Sequence, residues 1–91
     1  MKYGLYITTT SGKDCLKGFE LRDALKDVYD ISPCVVGFPD RSLRSQLRES
    51  NKMDCLATIF FQDGKTILKK MWNGIQEELS PRIMKDIYGY A

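Results

Sequence analysis

The sequence predicts one small α/β domain whose elements follow the order β-α-β-α-β-β-α. The chain has 91 residues, a length that forms a single domain. Short runs of β-branched and aromatic residues alternate with segments whose apolar residues recur every three or four positions, the patterns of strands and helices. The pair Asp63-Gly64 separates the last two strand-like runs and predicts a hairpin, because Gly tolerates the positive φ of a tight turn.

The first half of the chain predicts a strand, a helix and a second strand. Lys2–Thr8 alternates larger apolar residues with smaller or polar ones, as a strand does. From about Lys13 the apolar positions recur at helical spacing over about four turns. Asp30 and Ser32-Pro33 end this helix, since proline has no amide donor and extends the residue before it. Cys34–Phe38 is then the second strand.

The second half predicts a short helix, a hairpin and a closing helix. Pro39-Asp40 supplies a turn and an N-cap for the short helix. Leu56–Phe61 and Thr66–Trp72 are the two antiparallel strands of the hairpin. Ser80-Pro81 opens the last helix with a capping hydroxyl and a proline at the first helical position. The predicted domain therefore has a four-stranded mixed sheet and three helices.

Composition and charge exclude several classes of function. Lys and Arg number 14 against 12 Asp and Glu, and this net charge of +2 is too small to favour nucleic acid or an anionic membrane as a partner. The apolar runs are strand-sized and no N-terminal signal segment is present, which predicts a cytoplasmic protein. The chain has no histidine and its three cysteines form no CxxC pair, so no metal site and no His-dependent catalysis is predicted.

Several segments resemble the thioredoxin–glutaredoxin family. Leu47–Phe61 passes from a helix leucine through a turn into an apolar strand, and it resembles the thioredoxin segment that contains the family's cis-proline. The Asp63-Gly64-Lys65 turn and the Ser80-Pro81 helix resemble the family's C-terminal half, while Lys13-Asp14-Cys15 falls at the end of its active-site motif. The resemblance covers nearly all of residues 1–91 and implies a single thioredoxin-like domain of glutaredoxin size.

Two departures from that family remove its chemistry. Cys15 matches the inner, resolving cysteine, but Gly12 stands where the nucleophilic cysteine should be. A resolving thiol alone cannot carry out dithiol exchange through a mixed disulfide. Ala57 replaces the cis-proline, and a cis bond before a residue other than proline costs about 2.5–4 kcal/mol. The resemblance therefore implies a scaffold without dithiol turnover, and enzymatic activity is left open.

The departures favour a non-catalytic module that binds another protein. The partner would dock in a groove or on an edge strand of the scaffold. Self-association is left open, and neither a membrane nor a cofactor is predicted. The predicted groove residues are Lys13, Asp14, Cys15, Leu56, Ala57, Thr58, Trp72 and Asn73.

One alternative is a monothiol glutaredoxin-like oxidoreductase that uses Cys15, with glutathione as its cofactor. Trp72-Asn73-Gly74 and the acidic residues after it loosely resemble the segment with which glutaredoxins hold glutathione. Cys15 could also pair with Cys55 in a regulatory disulfide if their Cα atoms came within about 4.4–6.8 Å. The simpler interpretation is that Cys15 and Cys34 are small buried hydrophobic residues.

Another alternative is weak nucleic-acid binding through the second helix. Three arginines recur there at three- and four-residue spacing and could contact phosphates. The simpler interpretation is that they form the solvated face of a short helix. The residues of this predicted basic surface are Arg41, Arg44 and Arg48.

Overall fold

The computed structural model describes residues 4–30 and 34–80, in which two helices flank a five-stranded mixed sheet. The protein is a small α/β domain, as predicted. The elements in chain order are β1 (Leu5–Ile7), α1 (Gly12–Tyr29), β2 (Cys34–Val36), α2 (Leu43–Lys52), β3 (Ala57–Gln62), β4 (Lys65–Lys70) and β5 (Gln76–Glu78).

The five strands lie in the order β2-β1-β3-β4-β5. β1 is parallel to both of its neighbours, so that Leu5 pairs with Cys34 on one side and with Ala57 on the other. β4 is antiparallel to β3 and to β5. The predicted hairpin is confirmed: Asp63 and Gly64 have φ values of 52° and 75°, and they join Gln62 to its partner Lys65.

The prediction of four strands is wrong because it omits β5. Gln76–Glu78 is polar throughout and therefore carries none of the apolar alternation that indicates a strand. The chain reverses after β4 through a turn in which Gly74 has a φ of 74°, and β5 then pairs with Ile67–Lys69. Within the described residues the structure has two helices, and the helix predicted from Ser80-Pro81 lies outside them.

Serine hydroxyls cap both helices. Ser11 Oγ accepts the Asp14 amide at 3.1 Å in front of α1. Ser42 Oγ accepts the Ser45 amide at 3.1 Å in front of α2, so the predicted cap at Asp40 is wrong. α2 continues through the polar residues 50–52 and ends at Lys52.

The two helices lie on opposite faces of the sheet and are attached to it differently. Ile7 faces α1, because a Cβ atom added at Gly18 would lie 3.3 Å from its side chain, and Tyr6 faces α2. The α1 face holds the apolar core, and each large aliphatic side chain buried there stabilises the fold by about 1.5–3 kcal/mol. The buried members of this core are Leu5, Ile7, Leu25, Ala57, Ile59 and Leu68.

Candidate functional site

Polar side chains attach α2 to its face of the sheet. Gln46 and Ser50 are fully buried in the helix. The Ser50 and Thr58 hydroxyls are hydrogen-bonded to each other, and Thr58 Oγ1 also donates to Met71 Sδ at 3.2 Å. A buried hydroxyl costs free energy unless it has a partner, so these bonds fix α2 in one position over β3.

The Gln46 amide joins three segments at one end of the sheet. Its Oε1 accepts the Thr9 amide at 2.9 Å, and its Nε2 lies within hydrogen-bond distance of the carbonyl oxygens of Thr9, Phe38 and Arg41. Gly37 allows this approach, because a Cβ atom there would collide with the Gln46 side chain and lie 2.9 Å from the Tyr6 hydroxyl. The loops after β1 and β2 are therefore fastened directly to α2.

Tyr6, Glu49 and Arg41 form a chain of contacts from the sheet to the surface. The Tyr6 hydroxyl donates to Glu49 Oε2 at 2.7 Å, and Arg41 Nη1 donates to the same oxygen in an ion pair. The bond from Tyr6 and the guanidinium of Arg41 hold the pKa of the Glu49 carboxyl below its ordinary value. Burial, followed by the bond to Glu49, raises the pKa of the Tyr6 phenol well above its ordinary value.

A shallow cleft of about 280 Å³ lies along the outer side of α2. It carries three cationic side chains against one carboxylate, and that carboxylate is already paired with Arg41. An arrangement with surplus guanidinium and ammonium donors suits an anionic ligand such as a phosphate. We name it the α2 cleft; its lining residues are Arg41, Ser45, Arg48, Glu49 and Lys52.

An exposed tryptophan lies at the end of the sheet where α2 ends. Trp72 follows β4 and is 55% exposed, and the Lys70 ammonium lies 5.9 Å from the centre of its ring. The preceding residue, Met71, donates its amide to Leu56 O at 3.1 Å and contacts Thr58, which bonds to α2. The Trp72 turn and the C-terminal half of α2 are thus connected through β3.

A second cleft, of about 480 Å³, separates α1 from the β3–β4 hairpin. Asp14, Glu20 and Asp63 line it together with Lys17 and Lys65, so its charges are mixed. The Lys17 ammonium lies 5.8 Å from the centre of the Phe61 ring. Because neither sign of charge prevails, this cleft favours no class of ionic ligand.

Comparison with solved structures assigns the fold. No protein-family model matches the sequence, and no curated protein matches it either. The apo histidyl-tRNA synthetase of S. aureus is 16% identical, with a TM-score of 0.72 over 99% of this chain and 27% of the synthetase chain. The histidyl-tRNA synthetase of Nostoc sp. PCC 7120 is 14% identical, with a TM-score of 0.79 over 98% and 21%. The chain has the fold of a segment of histidyl-tRNA synthetase.

The synthetase-like fold overturns the thioredoxin resemblance. A β-α-β-α-β-β order is compatible with more than one sheet topology, and the Leu47–Phe61 match describes only a helix, a turn and a strand. The prediction of a thioredoxin-fold interaction module is therefore wrong. Its alternative, a monothiol glutaredoxin-like oxidoreductase, gains no support from these structures. The chain spans about a quarter of either synthetase chain.

The structure places the two halves of the predicted groove at opposite ends of the β1–β3 pair. α1 begins beyond the C-terminal end of β1, and Cys15 is half-buried in its first turn. Leu56 lies just before β3, at the other end of the pair. Ala57, the first residue of β3, pairs with Leu5 and is fully buried. Leu56 does lie beside the Met71 turn, which leads to Trp72 and Asn73. A binding role for the eight groove residues stays a prediction.

All three cysteines are free thiols. Cys55 is buried before β3, at the end of the sheet opposite Cys15, so the structure does not bring the two residues of the hypothesised disulfide together. Burial raises the pKa of the Cys34 thiol to about 11 and also raises that of Cys55.

The three predicted arginines do not form one continuous stripe. Arg41 precedes α2 and is therefore not on the helix as predicted; it is bound to Ser45 and Glu49. Arg44 is exposed but does not line the α2 cleft, whereas Arg48 does. Sequence reasoning missed Tyr6, Gln46 and Lys52 as parts of this region. Lys52 could have been found from its i, i+4 spacing with Arg48.

Two kinds of site are absent from residues 4–30 and 34–80. No group of three acidic or cysteine side chains is arranged to hold a metal ion there. Neither described helix is long and apolar enough to cross a bilayer.

Proposed function

We propose that the chain is an RNA-binding domain that holds backbone phosphates in the α2 cleft and an unpaired base on Trp72. The observation that carries this proposal is the surplus of cations on one side of the sheet. α1 carries four basic and four acidic residues, while α2 carries three basic residues and one acidic residue. Such a one-sided positive surface is the electrostatic footprint of nucleic-acid binding.

The proposal departs from the expectation drawn from net charge. The net charge of +2 is a sum over the whole chain. It conceals the difference between α1, whose charges cancel, and α2, whose net charge is positive. Phosphate binding responds to the local charge, because screening limits Coulomb interactions to about 8 Å at physiological salt. The neutrality of α1 therefore does not weaken an anion site on the other face.

The fold supports RNA over other polyanions. Both solved structures with this fold carry names that refer to tRNA. Since the chain corresponds to about a quarter of either synthetase, aminoacylation is not part of the proposal. The proposal concerns RNA contact alone.

Trp72 supplies the aromatic surface that base binding requires. A base stacked on an aromatic side chain gains about 1–3 kcal/mol. Trp72 is exposed and is connected through β3 to the end of α2 that carries Lys52. The Lys70 ammonium also lies near its ring and is itself paired with Glu77. Cations beside an exposed ring are the usual components of single-strand recognition.

The backbone contribution can be tested by titrating a labelled RNA hairpin against salt. We expect wild-type affinity to fall steeply with salt, and Arg48→Ala/Lys52→Ala to weaken binding at least tenfold while reducing the logarithmic salt slope by about 0.7 per lost contact. The matched control is Lys13→Ala/Lys26→Ala, which removes two exposed charges from α1. Equal losses in both double variants, or no wild-type binding at low salt, would contradict the proposal.

The stacking contribution can be followed without a label, because the chain contains one tryptophan. Hairpin RNA with an unpaired loop should quench the fluorescence of Trp72, and a blunt duplex should quench it much less. Trp72→Leu should weaken hairpin binding, whereas the control Phe38→Leu, at an aromatic residue that is 71% exposed near the other end of the sheet, should not. Unchanged fluorescence with bound hairpin would remove Trp72 from the site.

A further inference from the structure

The guanidinium of Arg41 is held on two sides before any ligand arrives. Its Nε and Nη2 donate to Ser45 Oγ at 3.2 and 2.8 Å, and its Nη1 donates to Glu49 Oε2. An arginine has five N–H donors, so the contacts with Ser45 and Glu49 leave at least one for an incoming anion.

The same carboxylate oxygen also binds a residue of the interior strand β1. The Tyr6 side chain is 1% exposed, and its hydroxyl donates to Glu49 Oε2 at 2.7 Å. Tyr6 is therefore linked to Arg41 through Glu49, which lines the α2 cleft. A buried, rigid phenol thus fixes the carboxylate to which a partly exposed arginine is bound.

We propose that Tyr6 is a positioning residue for phosphate binding, acting through Glu49 to hold the Arg41 guanidinium in the α2 cleft. This inference rests on the proposed function, since it concerns the same cleft. An arginine has a long, flexible side chain, and fixing it during folding removes that ordering cost from the binding step. The raised pKa of Tyr6 keeps its hydroxyl protonated, so it donates at all physiological pH values.

The test variant is Tyr6→Phe, which keeps the buried ring and removes the hydroxyl alone. We expect RNA binding to weaken three- to tenfold and the salt slope to fall toward that of Arg41→Ala. In the Arg41→Ala background, Tyr6→Phe should cause no further loss of RNA affinity, because the arginine that Tyr6 positions is absent. Equal weakening in both backgrounds, or full affinity in folded Tyr6→Phe, would overturn the proposal.

A matched control separates positioning from general loosening of α2. Thr58→Val removes another buried hydroxyl that bonds to α2, through Ser50, and it leaves the Arg41 contacts intact. It should lower stability without changing the salt slope. A reduced slope in Thr58→Val would show that any weakening of the helix has this effect, and it would overturn the role of Tyr6.

The positioning role has a readout that does not need RNA. The Arg41 Nε–H resonance of the free protein should be sharp in wild type and broadened by exchange in Tyr6→Phe and Glu49→Gln. If wild type binds no RNA, the proposed function fails, and this resonance still decides whether Tyr6 orders Arg41. An unchanged resonance in folded Tyr6→Phe would overturn the positioning role whether or not RNA binds.

Discussion

Gln46 and Thr9 are joined in both directions: the Thr9 amide donates to Gln46 Oε1 at 2.9 Å, and Gln46 Nε2 donates to Thr9 O at 2.5 Å. One side chain of α2 thereby satisfies both backbone groups of a buried loop residue. Such a loop would otherwise leave an unpaired donor and acceptor away from water.

Replacing this amide should be among the most damaging single changes in the described chain. Gln46→Ala leaves the Thr9 backbone and two further carbonyls without their partner, and we expect the free energy of unfolding to fall by about 3 kcal/mol. Urea denaturation of the wild type and the variant measures this difference in the free energy of unfolding. Asn51→Ala removes an exposed amide from the same helix and should change stability by less than about 0.5 kcal/mol. Similar losses in both variants would contradict the structural role of Gln46.

Gly37 should tolerate no side chain. The Cβ atom of Gly37→Ala would meet the Gln46 amide and the Tyr6 hydroxyl, and forcing these groups apart should cost about 1–3 kcal/mol. The matched control is Gly12→Ala at the start of α1, where the added Cβ would meet nothing within 4 Å beyond its chain neighbours and the backbone of its own helix. Thermal melting should show a lowered midpoint for the first variant and an equal or raised one for the second. A neutral Gly37→Ala would mean that the loop moves away freely.

The Tyr6–Glu49–Arg41 contacts should make the stability of the fold depend on pH in the acidic range. The pKa of Glu49 is lowered in the folded state, so its ionised form stabilises the fold above its ordinary pKa of 4.5. This contribution is lost as the pH falls through the lowered value. Melting temperatures between pH 7 and pH 3 should therefore fall more steeply for wild type than for Glu49→Gln. Parallel curves for the two proteins would contradict the assigned cause of the shift.

The Cys34 and Cys55 thiols should react slowly in the folded protein, because the pKa of each is raised. At neutral pH, raising the pKa of Cys34 from 9.0 to about 11 lowers its thiolate fraction about a hundredfold, and the thiolate is the reactive form. Alkylation followed by peptide mass spectrometry should find Cys34 and Cys55 protected, and both should react rapidly in urea. Fast labelling of either residue under native conditions would indicate that its surroundings open readily.

The parts of the fold that depend on local chemistry were predictable. Asp63-Gly64 predicts its hairpin because the positive φ values belong to the turn residues themselves. β5 was not predictable in this way, since Gln76–Glu78 becomes a strand through hydrogen bonds supplied by β4. The parallel pairing of β1 with β3 depends on residues far apart in the chain, and no local pattern reports it.

The candidate site was predictable only in its charges. Arg41 and Arg48 stand out in the sequence because basic side chains at helical spacing indicate a charged face. Tyr6 and Gln46 carry no such signal, because a tyrosine in a strand and a glutamine in a helix are ordinary until their partners are known. Their importance arises from the close approach at Gly37, which only the folded chain brings about.

The position of β1 between β2 and β3 has a consequence for synthesis on the ribosome. β1 is the first described strand to emerge, yet Leu5 pairs with Cys34 and Ala57, which are translated much later. The edge of β1 that pairs with β3 therefore stays without its partner until β3 leaves the exit tunnel. Nascent chains stalled before that point should therefore bind chaperones. Chains stalled after β4 has left the tunnel should no longer bind them.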